Sequence, residues 1–158
     1  MENSWETDQE HTIWMLLYQT RDTMLRVRDS ELGNRGLTAV EAGALHVINV
    51  IGDKATPAMI SKVMLRQHHS VTALLKRMEN KGLITRRRSS NRRNTWIISL
   101  SEKGKKAYEK SNVGNSLYEM MSVLSNDEKN QLKGMITKLR NKALAYEQSL
   151  QIQLPPFP

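Results

Sequence analysis

Apolar residues recur at three- and four-residue steps along most of the chain, and at two-residue steps over one short stretch. The first run, from about Thr7 to Val27, sets Ile13, Leu16, Leu17, Thr20, Met24 and Val27 on one face of a long helix. Gly33-Asn34-Arg35-Gly36 supplies the turn residues that stop it. Thr38-Ala39-Val40-Glu41 then has the spacing of a capping box, in which the threonine hydroxyl accepts from a first-turn amide and the glutamate reaches back. It opens a second helix with Val40, Ala44, Val47 and Ile51 as its expected buried face, ended by Gly52. Thr56-Pro57 starts a third, short helix, with Pro where its missing N–H costs nothing and Ile60, Val63 and Met64 as the apolar side.

A turn through Leu65-Arg66-Gln67 leads to a fourth helix, His68 to Asn80, with Val71, Leu74, Leu75 and Met78 facing the core. Lys81-Gly82 closes it, glycine supplying the left-handed residue a helix end commonly needs. The period then changes to two. Residues 83–88 and 95–100 read as strands joined by six polar residues, Ser89 to Asn94, hence a hairpin with a projecting tip. Ser101 caps a fifth helix expected to run from Glu102 to about Leu124. A second capping box, Ser125 to Glu128, opens the last helix, where Leu132, Ile136, Leu139, Ala143, Tyr146 and Leu150 repeat every 3.5 residues on average, a seam suited to a second long helix. Leu154-Pro155-Pro156-Phe157-Pro158 reads as a non-helical tail.

Charge sharpens this outline. The 158 residues carry a net +8, but Lys54 to Lys110 alone hold fifteen basic residues against three acidic ones, a local +12, and the flanks are net −4. Such a middle suits a polyanion, and the flanks suit another task. The absence of cysteine excludes a disulfide framework, a thiolate metal site and cysteine-based redox sensing. The four histidines show no ligand spacing, and no cofactor or metal is expected. No apolar run is long enough to span a bilayer and the start reads as no signal peptide, so a cytoplasmic protein is expected.

A short helix, a tight turn, a helix with polar outer residues and a basic hairpin make a winged helix-turn-helix. A helix fits the major groove of duplex DNA, where each base pair shows a distinct pattern of donors and acceptors. A basic ribbon can lie along the backbone or in the neighbouring minor groove. Gln67, His68, His69, Ser70 and Thr72 are the candidate base and phosphate contacts of the recognition helix, and Lys76 and Arg77 the backbone holders. Arg86 and Arg88 on one strand face, with Arg92 and Arg93 at the tip, are the candidate wing contacts. Trp96 is expected to pack in the core or against the hairpin.

The order and spacing resemble the MarR family of bacterial transcriptional regulators over nearly the whole chain. The resemblance rests on "LTAVEAGALHVI", "TPAMISKVM", "ALLKRMENKGLITR" and the wing "RRRSSNRRNTWIISLSEKGKKA". Asn91-Arg92-Arg93 stands where the family's wing has Asp-Arg-Arg, so an acidic group is replaced by an uncharged acceptor. Leu100-Ser101-Glu102-Lys103-Gly104 matches its Leu-Thr-x-x-Gly turn. The resemblance implies that Arg93 enters the minor groove, that two copies pair through first and last helices, and that a two-fold dimer meets a pseudo-palindromic operator as a repressor. It also implies a cleft for a small effector, for which Trp14, Tyr18 and His46 are candidate lining residues.

The expectation is a mainly α fold with a small β-hairpin wing. Residues 1–36 and 105–158 are its dimerisation arms and 37–104 its DNA-binding domain. The rivals are a winged helix serving protein contact, which needs no positive charge on wing and helix together, and an architectural DNA binder with no sequence preference. An enzyme is not expected, since the chain has no phosphate-binding glycine loop, no HExxH and no nucleophile elbow.

Overall fold

The computed structural model describes residues 8–90, 95–112 and 116–153. In chain order these form α1 (Gln9–Gly33), α2 (Ala39–Ile51), a 3-10 turn (Gly52–Lys54), α3 (Pro57–Met64), α4 (His68–Asn80), β1 (Ile84–Arg88), β2 (Trp96–Leu100), α5 (Glu102–Ser111), α6 (Ser116–Met121) and α7 (Asn126–Gln153). The chain divides into two compact units, residues 1–117 and 118–158. The expected wing tip, Asn91 to Asn94, and the proline-rich tail, Leu154 to Pro158, lie outside the described residues.

Local sequence places the helix starts. Asp8 accepts from the amides of Glu10 and His11, Thr38 and Glu41 close the capping box in both directions, Thr56 accepts from Met59, and Ser101 accepts from Gly104. At the start of α7, Ser125 and Glu128 exchange the two bonds of the second capping box. Each satisfies amides that would otherwise have no partner at a helix end.

The core of the first unit joins Leu32 and Leu37 to Leu45 and Ile48 of α2, Ile60 of α3, Val71, Leu74, Leu75 and Met78 of α4, and Leu83, Ile84 and Ile98 of the hairpin. β1 and β2 are antiparallel, from Ile84 opposite Leu100 to Arg88 opposite Trp96. The Ile98 amide also donates to Ala55 O at 2.8 Å, so the segment before α3 braces the open edge of β2.

Four expectations change. The first helix continues past Val27 to Gly33, which brings Leu32 into the core. In α2 the buried side centres on Ala44, Leu45 and Ile48, while Val40, Val47 and Ile51 are half-buried, because the helix packs on α1, α3, α5 and β2 together rather than on one neighbour. The expected helix 102–124 is instead α5 and α6, and Asn112 ends α5 by donating to Glu109 and Lys110 carbonyls. Asn112 is a poor helix former, which the apolar spacing did not register. On α3, Ile60 is buried but Val63 is exposed.

Candidate nucleic-acid interface

The turn between α3 and α4 is built on Leu65, the one non-glycine residue with positive φ among the described residues (φ 50°, ψ 48°). Its amide donates to Lys62 O, the Arg66 amide donates to Ser61 O, and Ser61 Oγ donates to Arg66 O at 2.6 Å. These bonds hold a conformation that costs a side-chain-bearing residue about 1–2 kcal/mol. Gln67 follows as the N-cap of α4, yet its side chain makes no capping bond. Its side chain is exposed.

Val71, Leu74, Leu75 and Met78 lock one side of α4 into the core. The opposite side carries Gln67, His68, His69, Thr72, Lys76 and Arg77, all exposed, with Ser70 half-buried. Thr72 Oγ1 donates back to His68 O at 3.0 Å. The end of α4 is anchored by Gly82 (φ 70°), by the Leu83 amide on Met78 O, and by Lys81, whose Nζ lies 2.8 Å from both carboxylate oxygens of the buried Glu41.

The hairpin divides its arginines between two faces. Arg86, half-buried, puts Nε 2.9 Å from Glu79 Oε2 of α4, close enough for an ion pair but off-line for a hydrogen bond. Its buried Nη2 has no acceptor among the described residues. Arg88 lies over Trp96, 5.0 Å from the ring centroid, a cation–π contact across the ladder. Trp96 packs on the hairpin as expected but stays 39% exposed. Arg87 points to the other face and has no ion pair or hydrogen bond among the described residues. The candidate residues Arg92 and Arg93 fall outside the described residues.

Sequence reasoning missed the joint at which the hairpin leaves for α5. The Ser101 amide donates to Leu83 O at 3.1 Å, and Ser101 Oγ donates to Gly82 O at 2.5 Å while accepting from the Gly104 amide at 2.9 Å. A Cβ on Gly104 would sit 1.9 Å from Leu83 O. The glycine of the Leu100 to Gly104 run is thus a close-approach residue, a role the run's spacing alone does not reveal.

Of the three candidate ligand residues, the structure brings His46 to a cavity and leaves the other two elsewhere. A cavity of about 530 Å³ between α1, α2 and the end of α5 is lined by Arg21, Met24, Leu25, Arg28, Ala42, Gly43, His46 and Leu117 among others. A second hollow shares Arg21, Gly43 and His46 and extends to Gln67 and Ser70 at the start of α4. His46 Nδ1 is 3.3 Å from the Tyr108 hydroxyl. Trp14 and Tyr18 lie on the exposed side of α1, stacked on each other at 6.2 Å. Below the cavity, Arg28 donates to Glu31 at 2.7 Å and to Ser111 O at 3.1 Å, and Ser116 Oγ bonds Glu31. The Ser116 bond first, then Arg28, holds the Glu31 carboxyl below its ordinary range against the opposing effect of burial.

A helix-turn-helix with an adjoining basic hairpin, presenting a polar helix face outward, defines the class: a winged helix-turn-helix protein with a DNA-binding fold. Residues 35–93 match the model of the MarR family. The organohalide-sensing transcriptional regulator RdhR, solved with bound 2,4-dichlorophenol, is 29% identical over 100% of this chain and 95% of its own, with a TM-score of 0.83. MepR of S. aureus, solved with DNA, is 25% identical over 82% of this chain and 96% of its own (TM-score 0.72). A MarR variant from E. coli in complex with operator DNA shares the fold at 23% identity, over 84% of this chain and 99% of its own (TM-score 0.75). No curated protein sequence matches the chain. The matched family comprises transcriptional regulators, not enzymes. No helix among the described residues is long and apolar enough to cross a membrane.

Proposed function

We propose that the chain is a homodimeric, sequence-specific repressor of transcription, with α4 in the major groove and the arginine-rich wing on the minor groove of a pseudo-palindromic operator. The outward side of α4 carries this reading. Gln67, His68, His69, Thr72, Lys76 and Arg77 stand exposed on a helix whose other side is fixed in the core. A rigid helix with free polar ends is what base-edge reading requires. The relatives solved with DNA support the same use of the fold.

In this reading residues 37–104 bind DNA, and 1–36 with 105–158 pair two copies. In the first unit, α1 exposes Ile13, Leu16 and Leu17; in the second, α7 exposes Met135, Ile136, Leu139 and Tyr146. Water-facing apolar rows of that length suit a partner helix. A two-fold pair sets two recognition helices about 34–36 Å apart, one DNA turn, and occupancy of a promoter by such a dimer blocks polymerase. The cavity at His46 takes a small ligand that releases the DNA. Arg21 and Arg28 give its wall two cations beside apolar Met24 and Leu25, a lining suited to an anionic or phenolic compound.

Fluorescence anisotropy of labelled duplex from upstream of the chain's own gene, against an unrelated duplex of equal length, tests the reading over a salt series. Tight binding to the first alone, falling steeply with salt, is expected. Equal binding to both would favour an architectural binder. No binding to either at low salt would remove DNA from the function.

A further inference from the structure

The first strand of the wing holds three consecutive arginines, and the structure employs two of them internally: Arg86 at Glu79 and Arg88 on Trp96. Arg87 is different. It lies on the opposite face of the hairpin, where Ile97 and Thr95 share its side, and this face forms one wall of an open cleft of about 490 Å³. The other wall is the 3-10 turn and the start of α3, with Lys54, Thr56 and Met59. Its floor is the buried Ile97, fixed in place where β2 bonds the segment before α3 through Ile98 and Ala55. Lys54 and Arg87 are both exposed, come from different elements, and have no ion pair or hydrogen bond among the described residues. Asp53 is the single acidic residue on the cleft, and it sits on a rim shared with a neighbouring hollow that contains Lys105.

We propose that this cleft seats the sugar–phosphate backbone of the DNA strand that runs beside the wing, with Lys54 and Arg87 each holding a phosphate. This rests on the DNA-binding reading above and adds a contact that neither the recognition helix nor the wing tip supplies. A ribbon in a minor groove has a backbone strand on each side: the Arg86 face, toward α4, meets the strand shared with the major groove, and the Arg87 face meets the other. Two unpaired cations on opposite walls of a cleft with an apolar floor suit an extended anion. The seat carries no base-reading group, so it fixes register and affinity without sequence preference.

The test measures the salt dependence of operator binding by anisotropy for the full-length protein, Lys54→Ala, Arg87→Ala, the double variant, Arg87→Lys, and Lys138→Ala as a net-charge control on α7. Each alanine variant is expected to lower the slope of log K against log salt by about one, and the double variant by about two. Each also weakens binding by about threefold to tenfold at 0.1 M salt, with the preference over an unrelated duplex unchanged. Arg87→Lys keeps the slope, and Lys138→Ala matches the wild type. Circular dichroism checks that the exposed substitutions leave the fold intact. If the wild type binds and the double variant keeps the wild-type slope, the cleft is no phosphate seat and only this inference falls. Loss of sequence preference with an unchanged slope would make Arg87 a base-reading residue and overturn it equally. If the wild type binds no duplex, the functional reading itself fails.

Discussion

Lys81, the first residue beyond α4, pairs with Glu41 in the first turn of α2, its Nζ 2.8 Å from both carboxylate oxygens. The Glu41 side chain is 3% exposed and Lys81 is 41% exposed. Glu41 also accepts from the Thr38 amide at 3.0 Å, and Lys81 donates to Gly36 O at 3.2 Å. One ion pair thus connects the cap of one helix, the turn before it and the end of another.

Removing the lysine leaves a buried carboxylate with its cap bond alone. Lys81→Ala is expected to destabilise the fold by about 1–3 kcal/mol, the range for a buried polar group stripped of its partner, since the half-exposed lysine lets water compensate in part. Urea unfolding measures it. An unchanged midpoint would show that Thr38 holds Glu41 unaided.

Gly104→Ala tests the joint between hairpin and α5. Because the clashing atom is the backbone oxygen of Leu83, no flexible side chain can move aside. The expected cost is about 3 kcal/mol, the upper end for overpacking, with a lowered melting temperature. Gly134→Ala is the comparison: it lies mid-helix on α7 with open space around the added carbon, and is expected to be neutral or stabilising.

Acid should loosen the first unit through Glu31. Its carboxyl is held below the ordinary value of 4.5, so the folded state binds its proton less readily than the unfolded state. The stabilisation is fully present above about pH 4.5 and disappears as pH falls through the lower folded value. Asp8, Glu102 and Glu128 are shifted in the same direction by helix-end bonds or, for Glu102, by Lys105, but at the surface, where solvent screens them. Glu31→Gln is therefore expected to flatten the decline of the urea midpoint between pH 5 and about 3. A wild-type decline in that variant would assign the acid sensitivity elsewhere.

The recognition helix and the wing tip should separate by kind of loss. Gln67→Ala is expected to cost about 1–3 kcal/mol against the preferred base and to relax selectivity at one operator position. Lys76→Ala should weaken all duplexes alike and lower the salt slope by about one. Arg93→Ala should weaken binding by more than about tenfold with folding intact, as one lost bidentate contact would. Competition binding with operators substituted at single positions distinguishes these patterns.

Helix starts were readable because a cap needs only a residue type at a fixed offset: Thr38 with Glu41, Thr56 before Pro57, Ser125 with Glu128. The helix α4 was readable to its ends, since its apolar positions face a single core. α2 was not, because four neighbours bury more than one stripe and spacing alone cannot say which positions lie deepest. The arginines of β1 alternate in sequence as any strand does. Which of them is spent internally depended on Glu79 and Trp96, partners that only folding brings near. Trp14, Tyr18 and His46 share an aromatic character but not a location, and only His46 meets the cavity.

In the proposed DNA complex, the Glu79–Arg86 contact bears on how a target would be measured. It adds a charged contact between the last turn of α4 and β1, while Val71, Leu74, Leu75 and Met78 fasten the helix into the core along its length. On that reading α4 and β1 form a caliper held at one spacing. An inserted base pair between the steps they grip shifts one grip by about 3.4 Å along the axis and about 34° around it. A strand free to swing from α4 could follow that shift, whereas one packed against it would read the longer site as a different address.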